Sequence, residues 1–235
     1  MNLRKYISNM KVPVQKFGST TEQNAFLQGF NVCLKKIKNV APLTNYIIVG
    51  VTGKTGSGKT QYCKSLTELD VYVCENSTLT ICYLNADEIY HLMLSNEEVT
   101  GLDELFGETI RDHNGKINRS SLAEIVFANE ENINKLNDVV LPQVSNKIIH
   151  MMLNIIEEDA ATPFLFVLDA PTLIESGLHN ICDSIAFVKA DKEIRKQRIM
   201  QRDGLTEQQA DARMKFEKED SFYEQYADRI ISCVR

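Results

Sequence analysis

The apolar, largely β-branched run Tyr46-Ile47-Ile48-Val49-Gly50-Val51 leads at once into eight residues, Gly53 to Thr60, with the spacing G-x-x-x-x-G-K-T. A nearly continuous run of that kind is a strand buried on both faces of a parallel sheet. Gly53, Gly56 and Gly58 allow positive φ and close backbone approach, so that successive N–H groups can turn inward on an anion. A helix starting near Lys59 then adds its positive dipole end. Strand, phosphate-cradling loop and helix in this order confine the chain to an α/β fold. Gly53, Lys54, Thr55, Gly56, Ser57, Gly58, Lys59 and Thr60 are therefore the expected nucleotide-binding residues. Lys59 would reach the β- and γ-phosphates, and the Thr60 hydroxyl would coordinate magnesium. The loop implies a nucleotide but does not say which reaction follows.

With 235 residues, 43% apolar and 25% charged, the composition is that of a globular protein with one good core. No run approaches the length of apolar sequence that a membrane span requires, and no membrane association is expected. The six cysteines lack C-x-x-C pairs, which suits reduced thiols and a cytoplasmic location. Net charge is −6, but residues 1–40 sum to +6 and the remainder to −12. So acidic a body argues against a broad nucleic-acid footprint. The basic first 21 residues have no apolar h-region and too few Arg and Ser for an organelle leader. Phe26, Phe30, Cys33 or Leu34, and Ile37 recur at helical spacing and mark one amphipathic helix from Glu22 to Lys38. It either docks on the domain behind it or offers a surface to a protein partner.

Further strands are expected at Val71 to Val73 and Thr78 to Leu84 (a strand or hairpin), Phe164 to Asp169, Ser184 to Val188 and Arg229 to Ile231. Residues 87–160 read as largely helical apart from the Asn114-Gly115 turn, with a long helix starting at Pro142 and running to about Glu158. Strands alternating with helices imply a parallel sheet covered on both sides. The expected architecture is a P-loop NTPase of the nucleotide-kinase type. Residues 1–44 form a basic extension, 45–86 and 161–235 a core with a lid at about 190–205, and 87–160 a helical substrate-binding insertion.

Phosphoryl transfer needs a base for the acceptor, a metal environment and cations over the moving phosphate. Asp87 ends a strand at the sheet's ligand-binding edge and could accept a hydroxyl proton, or it could simply cap the following helix. Asp169 closes the run before it and suits magnesium, the alternative being a turn residue ahead of Pro171. Arg195, Arg198 and Arg202 fall at i, i+3 and i+7, either as a lid over a triphosphate or as a solvated helix face. The four histidines lack metal-ligand spacing.

Several ordered blocks over residues 46–232 are similar to those of the dephospho-coenzyme A kinase family. They are the loop 53–60, Asn85-Ala86-Asp87-Glu88-Ile89-Tyr90-His91, Asn114-Gly115-Lys116-Ile117-Asn118-Arg119, Leu136-Asn137, Leu141-Pro142, Asp169-Ala170-Pro171-Thr172-Leu173-Ile174-Glu175, Arg198 to Gly204, Arg213 and Ala227-Asp228. The resemblance implies transfer of the γ-phosphoryl of ATP to the ribose 3′-hydroxyl of dephospho-CoA, with Mg2+. It makes Asp87 the base, assisted by Lys59 and Arg202, and Arg198 and Arg202 the lid arginines on ATP. Asp87, His91, Arg119 and Arg213 would meet the acceptor, and Thr60 and Asp169 the metal.

The chain departs from the family pattern in places. Asn85 stands for the first Asp of D-A-D, Leu141 for the His of His-Pro, and Glu217 for a glutamine near the adenine side. Two other readings stay open: a P-loop kinase for another hydroxylated acceptor such as a nucleoside or nucleotide, and a nucleotide-binding regulatory protein that has lost its chemistry.

Overall fold

In the computed structural model the described residues are 46–67, 71–74 and 77–232. The amphipathic helix expected from Glu22 to Lys38 lies outside them. The apolar run forms β1 (Tyr46–Thr52), flanked on one side by β4 (Phe164–Asp169) and on the other by β5 (Ser184–Lys189), both parallel to it. β2 (Val71–Cys74) and β3 (Ser77–Asn85) form an antiparallel hairpin. β3 pairs in parallel with β4, and β6 (Arg229–Ser232) in parallel with β5. The order is β2-β3-β4-β1-β5-β6, five parallel strands with one antiparallel edge.

Both faces of the sheet are covered, and β5 records this residue by residue. Ala186 and Val188 join Val51, Leu165, Val167 and the helix residue Cys63 in one cluster. Phe187, between them, packs with Ile174 and Tyr223 in another, as the two-residue period of a strand requires. All six residues of β4 are buried for the same reason.

β1 continues through the loop into α1 (Lys59–Thr67) and on towards β3, whereas the chain leaving β4 crosses to β5 on the other side of β1. The connections diverge at the β4/β1 boundary, where open α/β sheets form a crevice beyond the strand ends. The register sets Asp169 level with Val51 on one side and Asn85 on the other. The loop after β1, the end of β4 and the start of the helix after β3 therefore meet at one edge.

Between β3 and β4 lie α2 (Ala86–Ser95), α3 (Leu102–Phe106), α4 (Arg119–Val126) and α5 (Glu130–Glu158). The long helix begins well before Pro142, contrary to the expectation above. Asn129 caps it by accepting from Asn132 N, and Pro142 sits inside it. A proline interior to a helix forfeits one backbone bond, but here its ring is buried, as is the stripe of Val140, Val144, Ile148 and Met152 on the same helix. That stripe packs on α2, α3 and α4. By length and composition alone α5 could cross a membrane; its apolar side chains are partly taken up by this packing.

After β5 come α6 (Lys192–Asp203), α7 (Glu207–Met214) and α8 (Asp220–Glu224). They brace the phosphate loop from behind. Gly53 has φ 151°, and a Cβ there would lie 2.3 Å from the Val188 carbonyl oxygen. Gly56 has φ 76°, and its Cβ would meet the Arg195 carbonyl oxygen at 2.6 Å. Only glycine permits this contact. Arg195 is not a lid cation, as its place in the arginine stripe suggested. It is 5% exposed, and its guanidinium donates to Glu217 Oε2 at 2.6 Å and to the Thr55 carbonyl at 3.2 Å. The other Glu217 oxygen accepts from Thr55 N at 2.9 Å.

Removing one member of a buried ion pair leaves the other charge unpaired, which costs about 3–5 kcal/mol. Glu217→Ala is therefore expected to lower Tm by on the order of 10 °C, and Glu217→Gln, which can still accept from Thr55 N, by less. Thermal unfolding checks this; a Glu217→Ala Tm within about 2 °C of wild type contradicts the bracing role.

Candidate active site

The loop divides its residues between two directions. Thr55 N is taken by Glu217, and the Lys54 ammonium pairs with Asp220 at 2.7 Å. The Thr55 amide is thus not available to a phosphate, contrary to the reading that made every loop residue a ligand. Lys54 contributes its carbonyl inward, accepting from Ser57 N at 3.2 Å and from Lys59 Nζ at 3.1 Å. Ser57 Oγ is buried without a protein partner, as suits a group left for a ligand. Arg198 Nη1 donates to the carbonyls of Gly56 and Ser57 at 3.1 and 3.2 Å, which places it against the loop.

Lys59 is buried. Burial pulls its ammonium below the ordinary lysine value, and Asp169, Asp87 and Glu217, in that order, draw it back up. Three carboxylates thus support one cation that faces the loop.

Asp169 is 2% exposed. Its Oδ2 accepts from Thr60 Oγ1 at 3.0 Å and from the Tyr83 hydroxyl at 2.8 Å. Burial first, and then this carboxylate, pushes the Cys63 thiol far up. Asp169 is a carboxylate held by two hydroxyls, not a turn residue. Thr60 and Asp169 are hard oxygen donors beside a phosphate loop, and magnesium is bound by one or two such groups together with substrate phosphates. The residues fit that ion. Among the described residues no cluster of three or more His, Cys, Asp or Glu offers an all-protein metal cage.

The two readings of Asp87 separate cleanly. The cap of α2 is Asn85, with φ −99° and ψ 112°, and its Oδ1 accepts from Asp87 N at 3.0 Å and Glu88 N at 3.1 Å. Asn caps as well as Asp does, so the Asn85 departure preserves the turn and leaves the Asp87 carboxylate outside it. Asp87 is open to water on its outer side. Even so, surrounding protein pushes its carboxyl above the ordinary value, against Lys59, with Asp169 adding repulsion and His91 and Arg202 opposing.

Beyond Asp87, Arg119 Nη2 lies 3.0 Å from His91 Nε2. Arginine only donates, so Nε2 accepts and the neutral ring carries its proton on Nδ1. Burial, then Arg119, lowers the His91 pKa, and Asp87 opposes them. Arg202 grips Asp203 through two bonds of 2.7 and 2.8 Å, and Arg213 reaches the same carboxylate at 2.6 Å. Arg202 also feels Asp87. Lys59, Thr60, Asp87, His91, Arg119, Asp169 and Arg202 therefore form one electrostatically linked group. Arg213 joins it through Asp203 alone.

The roles of three residues around the site were not read from the sequence. Tyr83 lies two residues before Asn85, hence on the same strand face, and a tyrosine at the wet end of an apolar strand signals a buried partner for its hydroxyl. Asp203 adjoins the arginine it holds. Glu217 gave no local signal, because its partners are remote in sequence.

The dephospho-CoA kinase family model matches residues 47–233. Curated relatives named dephospho-CoA kinase include those of Dehalococcoides mccartyi, 32% identical over 79% of this chain and 87% of the relative, and Fusobacterium nucleatum, 31% identical over 79% and 88%. Among solved structures, TT1252 from Thermus thermophilus superposes with a TM-score of 0.62 at 26% identity, covering 81% of this chain and 90% of that one. Dephospho-CoA kinase from Campylobacter jejuni gives 0.52 at 26%, covering 81% and 89%. The match runs from the first core strand past the last, and on that ground this chain belongs to the dephospho-CoA kinase family.

Proposed function

We propose that this protein transfers the γ-phosphoryl of ATP to the ribose 3′-hydroxyl of dephospho-CoA, giving CoA and ADP. The observation that carries the reading is the Asp87 carboxylate, released from capping by Asn85 and electrically coupled to Lys59 across the crevice. A base must lie near the proton it takes and be ionised when it acts. Lys59 and Arg202 favour that ionised form, while partial burial keeps it basic enough to accept.

The amides of Gly56 and of Gly58 to Thr60, with the Lys59 ammonium, would hold the β- and γ-phosphates. Thr60 and Asp169 would hold magnesium, which when bound neutralises phosphate charge. Asp87 takes the 3′-hydroxyl proton as the oxygen forms its bond to phosphorus; the bond from phosphorus to the bridging oxygen breaks, and ADP keeps that electron pair. Arg202 is 59% exposed on its side chain, although its bond to Asp203 is two-pronged and shared with Arg213. It could exchange Asp203 for a triphosphate, and the segment 190–205 would then act as a lid. His91, Arg119 and Arg213 would meet the acceptor, and the helical segment 87–160 would supply its site. The intact set of Lys59, Thr60, Asp87 and Asp169 favours a working enzyme over a decayed binding protein.

Asp87→Asn is expected to lower turnover of dephospho-CoA by about 10²–10⁴-fold, with ATP affinity near wild type, in an assay coupled to ADP release. An ionised group whose folded pKa is raised destabilises the protein above its unfolded pKa, and that cost fades as pH falls. The variant should therefore be at least as stable as wild type at neutral pH. Turnover above about a tenth of wild type removes the assignment.

The same shift predicts the acid side of the pH profile. Activity needs ionised Asp87, so log kcat/KM should fall by about one per pH unit below the carboxyl pKa, with a midpoint above the ordinary value of 3.8. A profile whose acid midpoint lies at or below that ordinary value contradicts the role.

A further inference from the structure

The hydrogen bonds around Asp169 continue beyond it. The Tyr83 hydroxyl donates to Asp169 Oδ2 at 2.8 Å and accepts from Asn85 Nδ2 at 3.1 Å. Asn85 in turn accepts from Asp87 N and Glu88 N. One phenol thus sits between the carboxylate bonded to Thr60 and the side chain that turns the chain into the helix bearing Asp87. Its ring packs against the cluster of Val51, Cys63, Leu165 and Val167, which fixes where the hydroxyl can lie. The hydroxyl has one proton to give, and with Asn85 as donor that proton goes to Asp169.

We propose that Tyr83 is a positioning residue: it orients Asp169 for magnesium and, through Asn85, ties that carboxylate to the turn that presents Asp87. The inference rests on the reading of Asp169 as the metal-side acid given above. Thr60 approaches the same Asp169 oxygen as Tyr83. Without the phenol, the carboxylate can rotate about its last torsion, and Thr60 loses the acceptor that orients its hydroxyl. Groups that hold ligand-side residues in place typically change metal affinity or activity by 10–100-fold. The effect belongs to the metal and to kcat, because Tyr83 lies on the sheet side of Asp169 and makes no bond towards His91 or Arg119.

The test is the magnesium dependence of binding of a fluorescent ATP analogue to the whole protein, for wild type, Tyr83→Phe, Asp169→Asn and the double variant. Tyr83→Phe keeps the ring and its packing. It should leave analogue affinity without magnesium within about twofold and raise the magnesium concentration for half-maximal tightening by about tenfold. In turnover, kcat should fall while KM for dephospho-CoA holds. On the Asp169→Asn background Tyr83→Phe should add nothing, the non-additivity expected of a residue acting through its neighbour. Superimposable magnesium curves for wild type and Tyr83→Phe, with Asp169→Asn shifted, overturn the positioning role alone. A full tenfold shift persisting on the Asp169→Asn background overturns it too. If Asp169→Asn itself leaves the curve unmoved, the metal reading of Asp169 fails and this inference fails with it.

Discussion

A carboxylate with 2% of its surface exposed can remain charged only if protein groups replace the water it has lost. At Asp169 they come from two directions: Thr60 at the start of α1 and Tyr83 at the end of β3. Lys59 adds the balancing charge. Each partner belongs to an element that ends or begins at the same edge of the sheet, so satisfying one buried charge aligns the phosphate loop, β4 and the approach to α2. The crevice follows from strand order; its chemical content follows from this carboxylate.

The loop above it is bonded at its rear. The Thr55 amide and the Lys54 ammonium are used for anchoring, and Glu217, which holds Thr55, is itself paired with the buried Arg195 of α6. Further along, the buried Ser57 hydroxyl has no protein partner. By contrast, Arg202 and Arg213 are exposed and share Asp203 as their partner. Burial divides the arginines of one helix: Arg195 is enclosed and Arg202 is not.

Patterns that depend on a short stretch of chain were legible in the sequence. The core strands, the phosphate loop and the helical character of the segment after β3 follow from periodicity and glycine placement, while the Val71 to Leu84 region, left open as a strand or a hairpin, is a hairpin. Choices that depend on remote contacts were not. Asn85 and Asp87 are both good capping types, and only the extended backbone at Asn85 decides which one caps. Spacing placed Arg195, Arg198 and Arg202 on one face but could not say what that face meets; it meets the loop first and solvent last. Pro142 looked like a helix start because prolines prefer that position, yet a buried apolar stripe on both sides of it carries the helix through. Glu217, read as a substituted adenine-side residue, became a brace only when the chain brought it under Thr55.

The central claim is that Asp87 faces the acceptor hydroxyl across from the phosphates. A crystal structure with dephospho-CoA and a non-hydrolysable ATP analogue tests it most directly. The account predicts an Asp87 oxygen about 2.6–3.2 Å from the ribose 3′-oxygen, with that oxygen directed at the γ-phosphorus. A complex in which Asp87 turns away and another side chain contacts that oxygen contradicts it.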